Sequence, residues 1–320
     1  MTKATLHDGS HLELEINGTG PTVLLPVNPH PATGQRAEEL RKWGTDPALG
    51  RSLVDGLADA FRVVAFDYEG HLMTTPRPDT LTPAAVAADL LAVADAAGAD
   101  RFAYYGYSWL AVNGLQLAIR TDRLSALVMG GFPPIGGPYA PMLRVTAATH
   151  DMTKSAPSVP HQAPQQAAQQ ASGPADEYDW STVQITLTEP QTRQFVTLYE
   201  ALQDFDDEAA QARIHCPRLC FAGSADTIAY GERWGGVTVD MAGTIASRRA
   251  ELTAAGWDVR LLDGLDHTQA MQPDNVLPVL RPWLAEHLDR RPTTDAGGPA
   301  HARDARVRPQ PGTPAGRARR

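Results

Sequence analysis

Short apolar runs alternate with helix-length segments along most of this 320-residue chain, and that alternation restricts its fold more than any other feature. Residues 61–66 (FRVVAF) contain a single charged residue and no polar face, as a strand covered on both sides requires. Residues 22–25, 101–107, 124–129, 218–222 and 258–262 read the same way. Between them lie segments with helical spacing, such as 48–60 with Leu49, Leu53 and Leu57. Thr82 before Pro83 reads as an N-cap and first helical position, opening a helix that Gly98 closes. Further helices are expected at 110–120, 190–202, 207–214, 247–255 and 275–288. The pattern predicts an α/β fold, a mainly parallel sheet with helices on both faces.

The rhythm breaks twice. Residues 132–141 are crowded with Pro and Gly, and 155–174 are low-complexity Gln, Ala, Ser and Pro, too poor in apolar surface to offset their ordering entropy. We therefore expect residues 1–135 and 207–288 to form the core and 136–206 to be an insertion capping one end of the sheet. Residues 289–320, rich in Arg and Pro, read as a disordered tail.

Composition excludes several classes of function. The formal charge is −9, although the tail from Asp289 onward carries eight Arg against three Asp, so the body is more acidic still. An acidic body argues against nucleic acid as a partner. No apolar run is long enough to cross a bilayer, and the opening residues are polar and strand-like rather than a basic start with an apolar centre. Cys216 and Cys220 have no second Cys or His pair beside them and read as buried thiols, with neither metal nor cofactor implied. A reducing, cytoplasmic setting is expected. Nothing in the sequence fixes the oligomeric state.

The chemistry gathers at strand ends. In Gly106-Tyr107-Ser108-Trp109 a predicted strand turns sharply into a predicted helix with a hydroxyl at the turn. Locally, Ser108 reads equally well as a nucleophile or as a helix N-cap. Two later strands end in Gly and then Asp226, and in Gly and then His267. A serine hydroxyl needs a base to take its proton, and the base needs a carboxylate to fix its tautomer. Neighbouring strand ends of a parallel sheet can bring the three together.

Over residues 10–290 the sequence resembles the α/β-hydrolase superfamily. Ser108, Asp226 and His267 match its nucleophile, acid and base. Asp67-Tyr68-Glu69-Gly70-His71 matches its Asp-x-Arg-Gly-x-Gly segment with Glu69 in place of Arg, and Leu24-Leu25-Pro26-Val27-Asn28-Pro29 matches its apolar pair followed by His-Gly-x-Pro. The resemblance implies an oxyanion hole from the backbone N–H groups of Asn28 and Trp109, although Asn28-Pro29 is also an ordinary turn sequence. His30 and Tyr107 are candidates for touching substrate. Leu110 replaces a second small residue of the elbow and is expected to crowd the helix against the turn, and Val27 replaces a flexible Gly beside the oxyanion loop; neither removes a catalytic group. The side chains of Asn28 and Trp109 also resemble the pair that holds the halide in haloalkane dehalogenases. Those enzymes use an Asp nucleophile, and an ether on Ser108 would be a dead end.

What the resemblance implies is a cofactor-independent serine hydrolase acting on a small-molecule ester, lactone or thioester. The alternative, favoured by Leu110 and Val27, is a catalytically silent protein of the same fold that binds a small molecule or a partner.

Overall fold

A computed structural model of the chain describes residues 2–42, 44–155 and 186–288. The expected tail, and the centre of the expected insertion, lie outside these residues. Ten strands are described: β1 (Thr2–Thr5), β2 (His11–Asn17), β3 (Thr22–Leu25), β4 (Arg62–Ala65), β5 (Phe102–Tyr107), β6 (Leu124–Gly130), β7 (Arg218–Gly223), β8 (Thr227–Ala229), β9 (Thr238–Asp240) and β10 (Trp257–Leu262). Eight of them form one sheet in the order β1-β2-β4-β3-β5-β6-β7-β10, and β8 and β9 form a separate hairpin. β1 and β2 are antiparallel, β2 meets β4 antiparallel, and every pair from β4 to β10 is parallel.

Apolar residues alternate between the two faces of the parallel strands, which is why those strands read as continuous apolar runs. Val64, Tyr104, Leu127 and Cys220 belong to one core. Val63, Ala103, Val128 and Leu219, their sequence neighbours, belong to the other. The first core is covered by helices α4 (Pro83–Ala96) and α5 (Trp109–Ala118), the second by α2 (Leu49–Leu57) and α12 (Pro273–Leu288). Thr82 caps α4 as expected, its side chain accepting the Ala85 N–H at 3.2 Å.

The remaining helices are α1 (Gly34–Lys42), α3 (Tyr68–Thr74), α6 (Tyr139–Ser155), α7 (Glu189–Glu200), α8 (Asp207–Ala210), α9 (Met241–Ser247), α10 (Arg249–Ala254) and α11 (His267–Ala270). The single helix expected at 247–255 is two, with Arg248 between them outside helical geometry (φ −98°, ψ 12°). α9 starts early because the Asp240 side chain accepts the Gly243 N–H at 2.7 Å.

α3 was not expected. Its start is set by Asp67, whose carboxylate accepts the Gly70 N–H at 2.9 Å. Behind it, Asp89 is wholly buried and accepts from the Tyr68 hydroxyl (2.7 Å), the His7 backbone N–H (3.0 Å) and Arg77. Arg77 also pairs with Asp8 at 2.7 Å. This network ties α3 to α4 and to the turn between β1 and β2.

Candidate active site

Ser108 stands between β5 and α5 with φ 55° and ψ −126°. Among the described residues it is the one non-glycine with positive φ. Such a conformation costs about 1–3 kcal/mol and persists only where its surroundings impose it. Here the Ser108 N–H donates to the Gly130 carbonyl, and the Ser108 carbonyl accepts the Ala111 N–H, each at 2.8 Å. The hydroxyl makes no capping bond to α5. Of the two local readings, the hydrogen-bonded N-cap is therefore not what the side chain does.

α5 approaches β5 closely, through the backbone rather than the side chain of Leu110. A Cβ on Gly106 would strike the Leu110 carbonyl, and one on Gly114 would lie 2.6 Å from the Tyr104 ring. These two glycines provide the room, and the Tyr104 hydroxyl fixes the approach by donating to the Leu110 carbonyl at 2.9 Å. Leu110 instead lines the adjoining cavity. Val27 is accommodated by Gly50 of α2, where a Cβ would lie 3.2 Å from the Val27 side chain and collide with the Asn28 carbonyl. The crowding of helix against turn expected from Leu110 is met by Gly106 and Gly114.

Asp226 follows β7 and is wholly buried. Its two carboxylate oxygens lie 3.0 and 2.9 Å from His267 Nδ1. His267 opens α11, after Asp266 has capped that helix by accepting the Gln269 N–H at 2.8 Å. The Tyr107 hydroxyl donates to the His267 carbonyl at 2.7 Å, and the Tyr107 ring lies 5.1 Å from the imidazole. Burial works against a charged imidazole, but the Asp226 carboxylate outweighs it and holds His267 above its usual range.

Two cavities meet at this point. The larger, about 450 Å³, is walled by the loop after β3 together with α1 and α2, and Asn28, His30, Arg36 and Tyr107 line it. The smaller, about 70 Å³, is walled by α6, α7 and the loop carrying β8 and β9. Ser108, His267 and Glu69 line both.

Asn28 is exposed at the mouth of the larger cavity. Its side chain donates to Asp67 at 2.8 Å and accepts the His30 N–H at 2.9 Å. Among the described residues nothing accepts the backbone N–H of Asn28 or of Trp109. The Trp109 indole donates to the Glu69 carboxylate. The side-chain donors that resemble a halide-holding pair are thus each engaged by a carboxylate.

Glu69 had no assigned role in the sequence beyond its departure from an expected Arg. Its carboxyl is enclosed, and burial, then the neighbouring Asp67, push it up to about 7. Burial also raises Asp67. Among the described residues no group of three or more His, Cys, Asp or Glu is placed to hold a metal ion. Cys216 and Cys220 are both free thiols, and burial pushes Cys216 up to about 11. No helix among the described residues is long and apolar enough to cross a membrane.

The family model described as the alpha/beta hydrolase fold matches residues 44–178. The chain has the α/β-hydrolase fold. Solved structures of α/β hydrolases superpose along nearly all of it. A hydrolase from Pseudomonas aeruginosa PA01 is 19% identical with a TM-score of 0.53, covering 90% of this chain and 98% of its own. A thermophilic esterase from Thermogutta terrifontis is 18% identical with a TM-score of 0.54, covering 89% and 98%. The enol-lactonase from Burkholderia xenovorans LB400 is 18% identical with a TM-score of 0.53, covering 88% and 99%. No curated protein matches the chain. At these identities the likeness speaks for the α/β-hydrolase fold and leaves the chemistry to be argued from the site.

Proposed function

We propose that this protein is a cofactor-independent serine hydrolase that cleaves a small-molecule ester, lactone or thioester through an acyl-serine intermediate. The observation that carries the reading is the strained, uncapped Ser108 opening on the same two cavities as His267, whose Nδ1 is held by a fully buried Asp226. The esterase and enol-lactonase among proteins of the same fold agree with it.

In this mechanism Asp226 keeps the proton of His267 on Nδ1, leaving Nε2 as the base. As Ser108 Oγ attacks the acyl carbon, its proton passes to Nε2. The oxyanion that forms is received by the backbone N–H groups of Asn28 and Trp109, a contribution of about 3–4 kcal/mol for each such donor. The imidazolium then protonates the leaving alcohol or thiol, and the C–O or C–S bond breaks. Water, deprotonated by His267, hydrolyses the acyl-serine and releases the acid. Residues of α6 and α7, from the segment we assign as a cap, contribute walls to the smaller cavity and so to specificity. His30 and Tyr107 line the larger one, where the rest of the substrate would lie.

The test is covalent labelling with a fluorophosphonate, read by mass spectrometry. A stoichiometric adduct is expected on Ser108, absent in Ser108→Ala and slowed by about 10⁴-fold in Asp226→Asn, where the wrong tautomer is favoured. Folded protein that gives no adduct would move the assignment to a silent binding protein of the same fold.

A further inference from the structure

Arg36 stands half-buried on the wall of the larger cavity, which it shares with Ser108 and His267. Thr33, Arg36 and Leu40 follow one another at one-turn spacing along α1 and its start, and all three line the cavity. Ala37 and Leu40 are buried and fix the helix in that orientation. Among the described residues the Arg36 guanidinium makes no hydrogen bond and no ion pair. Glu39, the acid one turn further along α1, accepts from Gln35 at 3.0 Å instead. Arg51 of α2, by contrast, is taken up by Glu15 at 2.6 Å.

Three acids line the same cavity, and each is engaged by other donors. Asp67 accepts from the Asn28 side chain at 2.8 Å and the Gly70 N–H at 2.9 Å. Asp46 accepts from the Ala48 N–H at 2.8 Å and the Ser52 hydroxyl at 3.1 Å. Glu69 accepts from the Trp109 indole. Arg36 is near enough to Asp67 and Glu69 to favour their charged forms, yet it bonds neither.

A guanidinium with its planar fork of N–H groups open to about 450 Å³ beside a nucleophile is complementary to a planar monoanion, whose two oxygens it can bond together. A phosphate dianion in the same place would bring twice the charge towards Asp67. The smaller cavity offers an anion nothing comparable. Trp109, Phe132, Phe195, Tyr199, Tyr230 and Trp234 line it, with no Lys or Arg among its described residues. Aromatic faces carry negative charge density and do not attract a carboxylate. Because the two cavities meet at Ser108, a substrate with one charged end can lie across them in only one direction.

We infer that Arg36 receives a carboxylate on the substrate, so that the esters, lactones or thioesters cleaved at Ser108 carry an acid group towards the larger cavity and an apolar group towards the smaller one. The substrate class rests on the serine-hydrolase reading; the anion site itself does not.

The probes are monomethyl glutarate, an anionic ester, and dimethyl glutarate, its neutral counterpart, both at pH 7. Affinities are measured by calorimetry in Ser108→Ala, and hydrolysis is measured with Ser108 in place. The anionic ester is expected to bind about tenfold or more tighter than the diester, and Arg36→Gln should bring the two within about twofold. In turnover, Arg36→Gln should lower the ratio of kcat/KM for the anionic over the neutral ester about tenfold, through KM. A general loss of structure would not change that ratio, and melting curves check that the variants fold. Failure of the anionic ester to bind, equal affinity for the two probes, or a preference that survives Arg36→Gln would each overturn the inference, even in a protein that labels at Ser108. A preference that depends on Arg36, in a protein that neither labels at Ser108 nor turns over either ester, would sink the hydrolase reading while leaving the anion site standing.

Discussion

Gly131 offers a way to test how His267, the base of the proposed mechanism, is held, because one methyl group there should disturb the imidazole without touching Ser108. Gly131 has φ +61°, a region in which a residue with a Cβ loses roughly 1–2 kcal/mol. A Cβ on Gly131 would also lie 2.6 and 2.7 Å from two atoms of the Tyr107 ring and 2.9 Å from His267 Cε1. Comfortable carbon contacts begin at about 3.5 Å, so something must give by nearly an ångström. The Tyr107 ring must shift, and because its hydroxyl donates to the His267 carbonyl while the same Cβ presses on the imidazole, His267 moves with it. Overpacking of this kind costs about 1–3 kcal/mol, giving about 2–5 kcal/mol in total. At about 2–4 °C per kcal/mol for a large domain, Gly131→Ala should melt about 4–20 °C lower. A displacement of about 1 Å in a catalytic group costs about 100-fold in rate. Gly98→Ala separates the two contributions: it has φ +64° with nothing within 4 Å, so it should lose only the backbone part and keep full activity. Calorimetric melting and the rate of fluorophosphonate labelling read both. If Gly131→Ala melts with Gly98→Ala and labels at the wild-type rate, this contact does not hold His267 in place.

Other expectations follow from the same geometry. Ser108→Gly should abolish labelling yet raise the melting temperature, by relieving about 1–3 kcal/mol of backbone strain; a fall would mean that the elbow is not strained. In the proposed mechanism His267 acts as a base only when neutral, and it is held above its usual range, so labelling should rise with pH about a midpoint above 6.5, and Asp226→Asn should lower that midpoint. The sign for stability is opposite: the charged His267–Asp226 pair contributes fully below pH 6.5, and that contribution is lost as pH rises through the folded-state value. Asp89→Ala would leave buried Arg77 with Asp8 as its remaining carboxylate and strip the Tyr68 hydroxyl and the His7 N–H of their acceptor, and should cost about 3–5 kcal/mol in chemical denaturation. A loss below about 1 kcal/mol would show that the network is dispensable.

The core was legible because its signals are local. Strands buried on both faces write themselves as apolar runs, and Thr82-Pro83 and Gly98 mark the ends of α4 in a few residues. Ser108, Asp226 and His267 were legible for a related reason: each follows a strand that is itself plain, and the sheet order brings their ends together. What escaped notice is set by longer-range contacts or by weak caps. α3 begins on one Asp67 side chain inside a segment that also matches a family motif, and the motif hid the helix. The β8–β9 hairpin depends on left-handed Gly235 and Gly236 between two three-residue strands, too short for any periodicity to show. The aromatic cavity is spread from Trp109 to Trp234, and no spacing rule joins those positions. Glu69 was visible only as the wrong residue in a motif, because the residues that share its cavity come from positions far along the chain.

The loop that carries the acid has two attachments. Tyr230 and Trp234, which line the smaller cavity, follow Asp226 by a few residues, and the loop closes where the N–H groups of Met241 and Ala242 donate back to the Asp226 carbonyl at 3.0 and 3.1 Å. The wall of the cavity and the anchor of His267 are therefore one mechanical piece. Under the proposed function, substitutions that reshape the cavity from this side will alter turnover along with selectivity, and their effects will not add. α6 and α7 also wall the cavity, α6 packing on the loop at Gly235, and among the described residues neither donates to Asp226. Under the proposed function, a new substrate is more readily accommodated there, at Met142, Val145 and Phe195.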